Sequence, residues 1–212
     1  EIRIGDWSSD VCSSDLVFQP AMSEIYAVNE SFFKMILSRH SLGAKHLVIP
    51  APDVGALRLA VTAACRVPCH QETLPFRWVE ISSRDRLADL FESVLPADAD
   101  EEMRAKARGK ALKAPMCMAL VGTGLSPDSR DRDADERLMT AGASLMNFLA
   151  GLHAQGFAAK TVSAKDFPAP DGLYDPTCER LLCFVLVGTP DTPVNYQDIG
   201  MGNDERQPLS RW

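Results

Sequence analysis

The chain has 212 residues with a net charge of −7, and 46% of its residues are hydrophobic and 24% charged. This composition is typical of one globular domain with a sizeable core, and the mild acidity excludes nucleic-acid binding through a broad basic surface. No apolar run reaches the length of a membrane span, and the N-terminal segment lacks the hydrophobic middle of a secretion signal. We therefore expect a cytoplasmic protein.

The N-terminal segment does not read as natural protein sequence. The run DWSSDVCSSDL has neither helical nor strand periodicity, and it back-translates to the tail of a common short-read sequencing adapter. We interpret residues 1–16 as translated adapter and place the natural start at Met22, so that residues 1–21 are expected to be non-native and disordered. Residues 22–212 then form a single domain, with a C-terminal extension from about residue 191.

The first half of the chain predicts three helices and one strand. An amphipathic helix follows Ser23 and ends near Arg39, and a second helix, DVGALRLAVTAACRV, stops at Pro68. The alternating segment FRWVEIS predicts a strand, and Ser83 is a typical N-cap for a third helix, SRDRLADLFESVL. The predicted core-facing positions of the first two helices are Ile25, Val28, Phe32, Phe33, Met35, Ile36, Leu57, Leu59, Val61 and Ala64.

The second half predicts a polar surface helix within 98–115, and then a buried strand, PMCMALVGTG. A solvated connection at 126–136 precedes the longest helix, which begins at Glu136 and has Gly156 as its C-cap. Its AGAS segment, 141–144, favours close helix packing. The extended pieces AAKTVSA and LLCFVLVGTP follow, so the order of elements predicts an α+β domain with a mixed central sheet flanked by helices.

Several short motifs in this order resemble the FMN-dependent nitroreductase family, specifically its small YdjA-like members. They are SRHS at 38–41, ACRVPCHQETLPFRW at 64–78, LKAP before a strand, AGAS in a helix that ends in QGF, and VLVGTP with a terminal RW. Each motif is weak alone, and the order and spacing carry the resemblance. It implies a nitroreductase-like fold, FMN as cofactor and a homodimer with two flavin sites at the subunit interface.

The resemblance assigns cofactor-binding roles to eight residues. Arg39 and Ser41 would bind the phosphate, since an arginine fork and a hydroxyl are suitable donors. His40 stands where the family has a second arginine. Arg66 would contact the polar edge of the flavin, and His70 would reach the flavin of the other subunit. The family motif W-R-S corresponds to Thr161, Val162 and Ser163, where backbone groups could still bind the cofactor.

The implied reaction is hydride transfer from NAD(P)H through the flavin to a nitroaromatic, a quinone or a similar acceptor. The cofactor supplies the chemistry, so we expect neither a catalytic side chain nor a metal ion. The alternative is a non-catalytic flavin-binding or interaction protein, because both the T-V-S segment and His40 depart from the family pattern. A thiol-based redox protein that uses Cys65 or Cys69 is a third possibility.

Overall fold

A computed structural model describes residues 30–69, 73–125, 132–164 and 167–192. The helices are α1 Glu30–Ser38, α2 Val54–Ala64, α3 Arg84–Glu92, α4 Glu101–Ala111 and α5 Arg132–His153. The strands are β1 Leu47–Val48, β2 Phe76–Glu80, β3 Met116–Thr123, β4 Ala158–Ser163 and β5 Glu179–Pro190. Within these ranges, no helix has the length and apolar character needed to cross a membrane.

The long strand β5 organises the sheet. It pairs with β3, with β4 and, at its C-terminal end, with β1, while β2 extends the sheet beyond β3. Eight successive residues of β5, from Leu181 to Gly188, are buried or nearly so. This explains why its sequence is an almost continuous apolar run rather than an alternating one.

The α+β class and the arrangement of helices on both faces of a central sheet are confirmed, but the predicted mixed sheet is wrong for the described strands. Every pairing among them is antiparallel. The helices α3 and α4 form a hairpin that returns the chain to the same end of the sheet, so β3 runs antiparallel to β2. Strands β3 and β4, which α5 connects, do run in the same direction. They do not pair with each other, because β5 lies between them and is antiparallel to both.

Two apolar clusters lie on opposite faces of this sheet. One joins α3 to alternate residues of β3 and β5, including Leu87, Val121 and Phe184. The other joins α2 and α5 to the remaining residues, including Ala60, Phe148 and Val185. The molecule therefore has three layers, with α3 and α4 on one side of the sheet and α2 and α5 on the other.

Helix starts follow the predicted capping chemistry. Ser83 caps α3, and the side chains of Asp53 and Asp100 accept backbone N–H bonds at the starts of α2 and α4. The predicted start of α5 is wrong by four residues, because Arg132 to Asp135 are helical. Acidic side chains in a first turn are stabilised by the helix dipole, so this charged segment extends the helix instead of forming a connection.

Three predicted core positions are instead exposed. Phe32 and Phe33 on α1 are about half exposed, and Leu59 on α2 is 60% exposed. Helix α2 packs closely on α5 through small residues. A Cβ atom added to Gly151 would lie only 3.2 Å from the Cα of Ala60. The close helix approach therefore occurs at Gly151, not at the predicted AGAS segment.

Candidate functional site

The segment that follows α1, residues 39–42, is fixed at two points. Ser38, the last residue of α1, is buried, and its Oγ lies 2.8 Å from Nε2 of His153 at the end of α5. The backbone N–H of Leu42 donates to the carbonyl of Ala159 in β4, at 3.1 Å. Arg39, His40 and Ser41 are therefore held between the C-terminal end of α5 and the edge of β4.

The end of α5 is itself a fixed support for this segment. The side-chain amide of Gln155 donates to the carbonyls of Ala56 and Gly151, at 3.2 and 2.8 Å, and so ties the end of α5 to α2. Gly156 adopts a positive φ of 84° directly after the helix, as predicted for its C-cap.

Three basic side chains meet at this end of α5. Burial lowers the pKa of His153 below its usual value, and the charges of Arg39 and His40 lower it further. His40 Nδ1 lies 3.2 Å from the carbonyl oxygen of Ser38, so its N–H donates there and directs the ring. The arrangement concentrates positive charge on the segment that the sequence assigns to a phosphate.

The predicted T-V-S segment forms the second half of β4. The carbonyl of Ala159 points away from β5, towards Leu42, and backbone groups two and four residues further on point to the same edge. The N–H and C=O groups of Thr161 and Ser163 thus lie on the outer edge of β4, in line with the 39–42 segment. The side chain of Val162, which lies between them, packs in the cluster that contains α3.

Arg66 lies beside the middle of α5, away from the C-terminal end of the helix that supports Arg39. Its carbonyl accepts a bond of 2.8 Å from Asn147 Nδ2, and the carbonyl of Pro68 lies 3.3 Å from Thr140 Oγ1. At about 1.5 Å per residue, the Asn147 contact lies roughly 9 Å along the axis from His153. The structure therefore does not place Arg66 against Arg39, and the predicted His70 lies outside the described residues.

An open apolar groove of about 560 Å³ runs along the outer face of α2 beside Arg66. Val54, Leu57, Val61 and Cys65 provide most of its apolar lining. Val54, at the start of α2, is 76% exposed. A face of this kind is typical of a surface that another protein covers.

The likeness to solved structures extends over most of the chain. A nitroreductase-like family protein from Bacillus cereus aligns with a TM-score of 0.61 and 19% identity, over 79% of this chain and 89% of that one. A nitroreductase family protein from Streptococcus pneumoniae TIGR4 aligns with a TM-score of 0.56 and 16% identity, over 85% and 95%. An NADPH:FMN oxidoreductase from Vibrio harveyi, complexed with NAD+, aligns with a TM-score of 0.55 and 12% identity, over 76% of this chain and 69% of that one.

The chain has the nitroreductase fold. No protein-family model matches the sequence, and identities below 20% establish the fold alone. The chemistry of the site therefore has to be argued from this chain's own residues.

Ser38 and His153 are the site residues that sequence reasoning missed. The sequence singled out Ser38 only as part of the SRHS motif, and it assigned no contact to His153. The two residues lie 115 positions apart, and neither has a spacing that indicates contact.

The buried thiols of the described residues are unsuited to nucleophilic chemistry. Burial raises the pKa of Cys117 to about 12 and that of Cys183 to about 11, so both remain protonated at neutral pH. This leaves the half-buried Cys65 and Cys69, which the sequence-based alternative names, and the exposed Cys178.

Proposed function

We propose that this protein is an FMN-dependent oxidoreductase of the small YdjA-like type. It transfers a hydride from NAD(P)H, through the flavin, to a nitroaromatic, a quinone or a similar small acceptor. The nitroreductase fold supports a flavin oxidoreductase in general, and the Vibrio harveyi structure with this fold is an NADPH:FMN oxidoreductase. Because NAD(P)H is the proposed electron donor, we expect the protein to act in the cytoplasm.

One observation carries the proposal: the cationic segment 39–41 lies in line with the outer edge of β4. The Ser38–His153 contact and the Leu42–Ala159 bond define this alignment. A long ligand with one anionic end and one polar, planar end matches such a site. Its anionic end would lie at Arg39, and its planar end would lie along β4.

The residues fit FMN by the chemistry of their donors. Arg39 offers a planar fork of N–H groups to a phosphate dianion, and Ser41 offers a hydroxyl. The outer-edge backbone groups of Thr161 and Ser163 provide both donors and acceptors for the polar atoms of a flavin ring. When bound there, FMN would supply the redox chemistry, accepting a hydride and passing it on. The chain's contribution is binding, orientation and the fixed position of the two segments.

We also propose a homodimer in which the outer face of α2 meets a second copy. The support is the apolar groove and the exposed Val54, together with Phe32 and Phe33 on α1. In this arrangement, Arg66 borders the interface, and His70 of the second copy completes the flavin site. A symmetric pairing covers the same apolar face on both subunits.

The test is an anaerobic reduction of the purified full chain loaded with FMN. We expect a yellow protein whose flavin absorbance is bleached by NADH or NADPH and restored by a nitroaromatic or a quinone. Flavin binding without bleaching would favour the non-catalytic alternative. A chain that takes up no added FMN would contradict both, and activity that alkylation abolishes without flavin would favour the thiol alternative.

A further inference from the structure

The Ser38–His153 contact links the predicted phosphate segment to α5 through a titratable group. Ser38 is 3% exposed and His153 is half-buried, and the contact is 2.8 Å. The same hydroxyl lies 3.1 Å from the carbonyl of Met35. A serine hydroxyl has one proton to donate, so when it bonds to Met35 the Nε2–H of His153 donates to Ser38 Oγ.

This arrangement accommodates both charge states of His153. The Nε2–H group is present in one neutral tautomer and also in the imidazolium, and in each it donates to Ser38 Oγ. Protonation of the ring at Nδ1 therefore breaks neither bond of Ser38. Burial and the charges of Arg39 and His40 disfavour a further positive charge on the ring.

The charged and titratable side chains around His153 come from several elements. Arg39 and His40 act on it directly from the segment after α1. The other titratable side chains on α1, on α2 with its cap, and on β4 are Glu30, Lys34, Asp53, Arg58 and Lys160. Glu30 and Lys34 pair with each other at 3.5 Å.

We propose that His153 is a positioning residue of the phosphate segment, and that its imidazole takes up a proton from solvent when a phosphate monoester binds at Arg39 and His40. The proposal rests on the proposed function, because FMN is the phosphate monoester in question. A dianion beside Arg39 and His40 offsets the two charges that oppose the imidazolium. The protonated ring keeps its bond to Ser38 and so holds the segment in place.

The sign of the pH dependence follows from linkage. Since the bound state favours the protonated ring, the pKa of His153 is higher with FMN than without it. The contribution of His153 to FMN affinity is fully present below the pKa of the free state. It is lost as the pH rises through the pKa of the bound state.

The direct test is a pH titration of histidine ring signals in the full chain by NMR, with and without saturating FMN. We expect the midpoint of His153 to rise by about half a pH unit or more on FMN binding, which corresponds to about a threefold change in affinity. Riboflavin, which lacks the phosphate, should leave the midpoint unchanged. A His153 midpoint that FMN does not raise would overturn the proposal while leaving the proposed function intact.

A second measurement uses His153→Gln, whose amide can still donate to Ser38 Oγ but carries no charge. The ratio of the FMN dissociation constants at pH 8 and at a pH below the free-state midpoint of His153 should be about threefold smaller in this variant than in the wild type. The phosphate's own titration near pH 6 affects both proteins equally and cancels in the comparison. His46→Gln, in an exposed pair with Asp191, is the matched control and should keep the wild-type ratio.

The outcomes separate the two proposals. Equal ratios in the wild type and in His153→Gln, with FMN bound to both, would contradict the role of His153 alone. Failure of both proteins to bind FMN would remove this inference together with the proposed function.

Discussion

The two helical layers of this molecule differ in the side chains that they expose. In the layer of α3 and α4, Arg108 pairs with Asp89 and Glu92, and Arg104 pairs with Glu92 at 3.1 Å. The layer of α2 and α5, together with α1, instead exposes large apolar side chains and lies against the basic segment 39–41. One layer carries a network of ion pairs on its surface, whereas the other presents both an apolar face and a cationic segment. The difference indicates that binding takes place on the α1–α2 side.

The largest effect is expected at the apolar face. Val54→Glu places a charge where the second copy is proposed to pack, and desolvating that charge would weaken the dimer by about 3 kcal/mol or more. The fold of the chain should survive, because Val54 is 76% exposed and an acidic residue suits the first turn of a helix. Light scattering during gel filtration measures the mass of the species.

Met103→Glu is the matched control for this change. Met103 is also exposed and lies in the first turn of α4, but it belongs to the other layer. We expect the control to behave as the wild type. Dissociation by both variants, or by neither, would contradict the distinction between the two layers.

The second largest effect is expected at Arg39. Arg39→Ala removes charge-assisted hydrogen bonds to the phosphate, which are worth about 1.5–3 kcal/mol, and should weaken FMN binding roughly 10- to 100-fold. Flavin fluorescence quenching measures the dissociation constant. Lys106→Ala removes an exposed cation from α4 and serves as control. If both variants bind FMN equally well, net charge rather than the 39–41 segment governs affinity.

The third prediction concerns the ion pair that fixes the loop before β5. Arg77 bonds to both carboxylate oxygens of Glu179 at 2.8 Å and to the carbonyl of Leu173 at 2.7 Å. Glu179→Gln should cost about 1 kcal/mol of unfolding free energy at pH 7, since Arg77 is partly exposed. FMN affinity should be unchanged. Urea denaturation measures the stability.

The pH dependence of this pair has a definite sign. The hydrogen bonds from Arg77 hold the pKa of Glu179 below its usual value of 4.5. The carboxylate therefore stabilises the fold fully above that value, and its contribution is lost as the pH falls through the lower, folded-state pKa. The stabilities of wild type and variant should converge in acid. A constant difference between pH 7 and pH 3 would contradict this account of the pair.

The smallest effect is expected at His40. His40→Arg restores the second arginine of the family motif and should tighten FMN binding by about 0.5–1 kcal/mol, or roughly two- to fivefold. Isothermal calorimetry measures the change. An unchanged dissociation constant would count against a role for position 40 in phosphate binding.

Local sequence patterns were sufficient for much of this fold. Ser83 and Gly156 mark helix ends through chemistry that depends on near neighbours, and the apolar run of β5 indicates a buried strand whatever its partners. Strand direction was less accessible, because it depends on how α3 and α4 pack after they form. The exposure of Phe32 and Leu59 was not predictable either, since an apolar stripe does not reveal whether its partner lies in the same chain.

The candidate site divides in the same way. The motif around Arg39 and the T-V-S segment could be identified from short stretches, and the chain places the two side by side. The Ser38–His153 contact could be identified only from the completed fold, because neither stretch of sequence indicates that it contacts the other. A role for Arg66 in the site requires a ligand long enough to contact both Arg66 and Arg39. A role for His70 requires a second copy of the chain.

Comparing the equilibrium binding of FMN and riboflavin to the full chain tests the central claim most directly. The account predicts that FMN binds at least tenfold more tightly, since only FMN has a phosphate for the segment at 39–41, and that Arg39→Ala removes this preference. Equal affinities for the two ligands in the wild-type protein would contradict it.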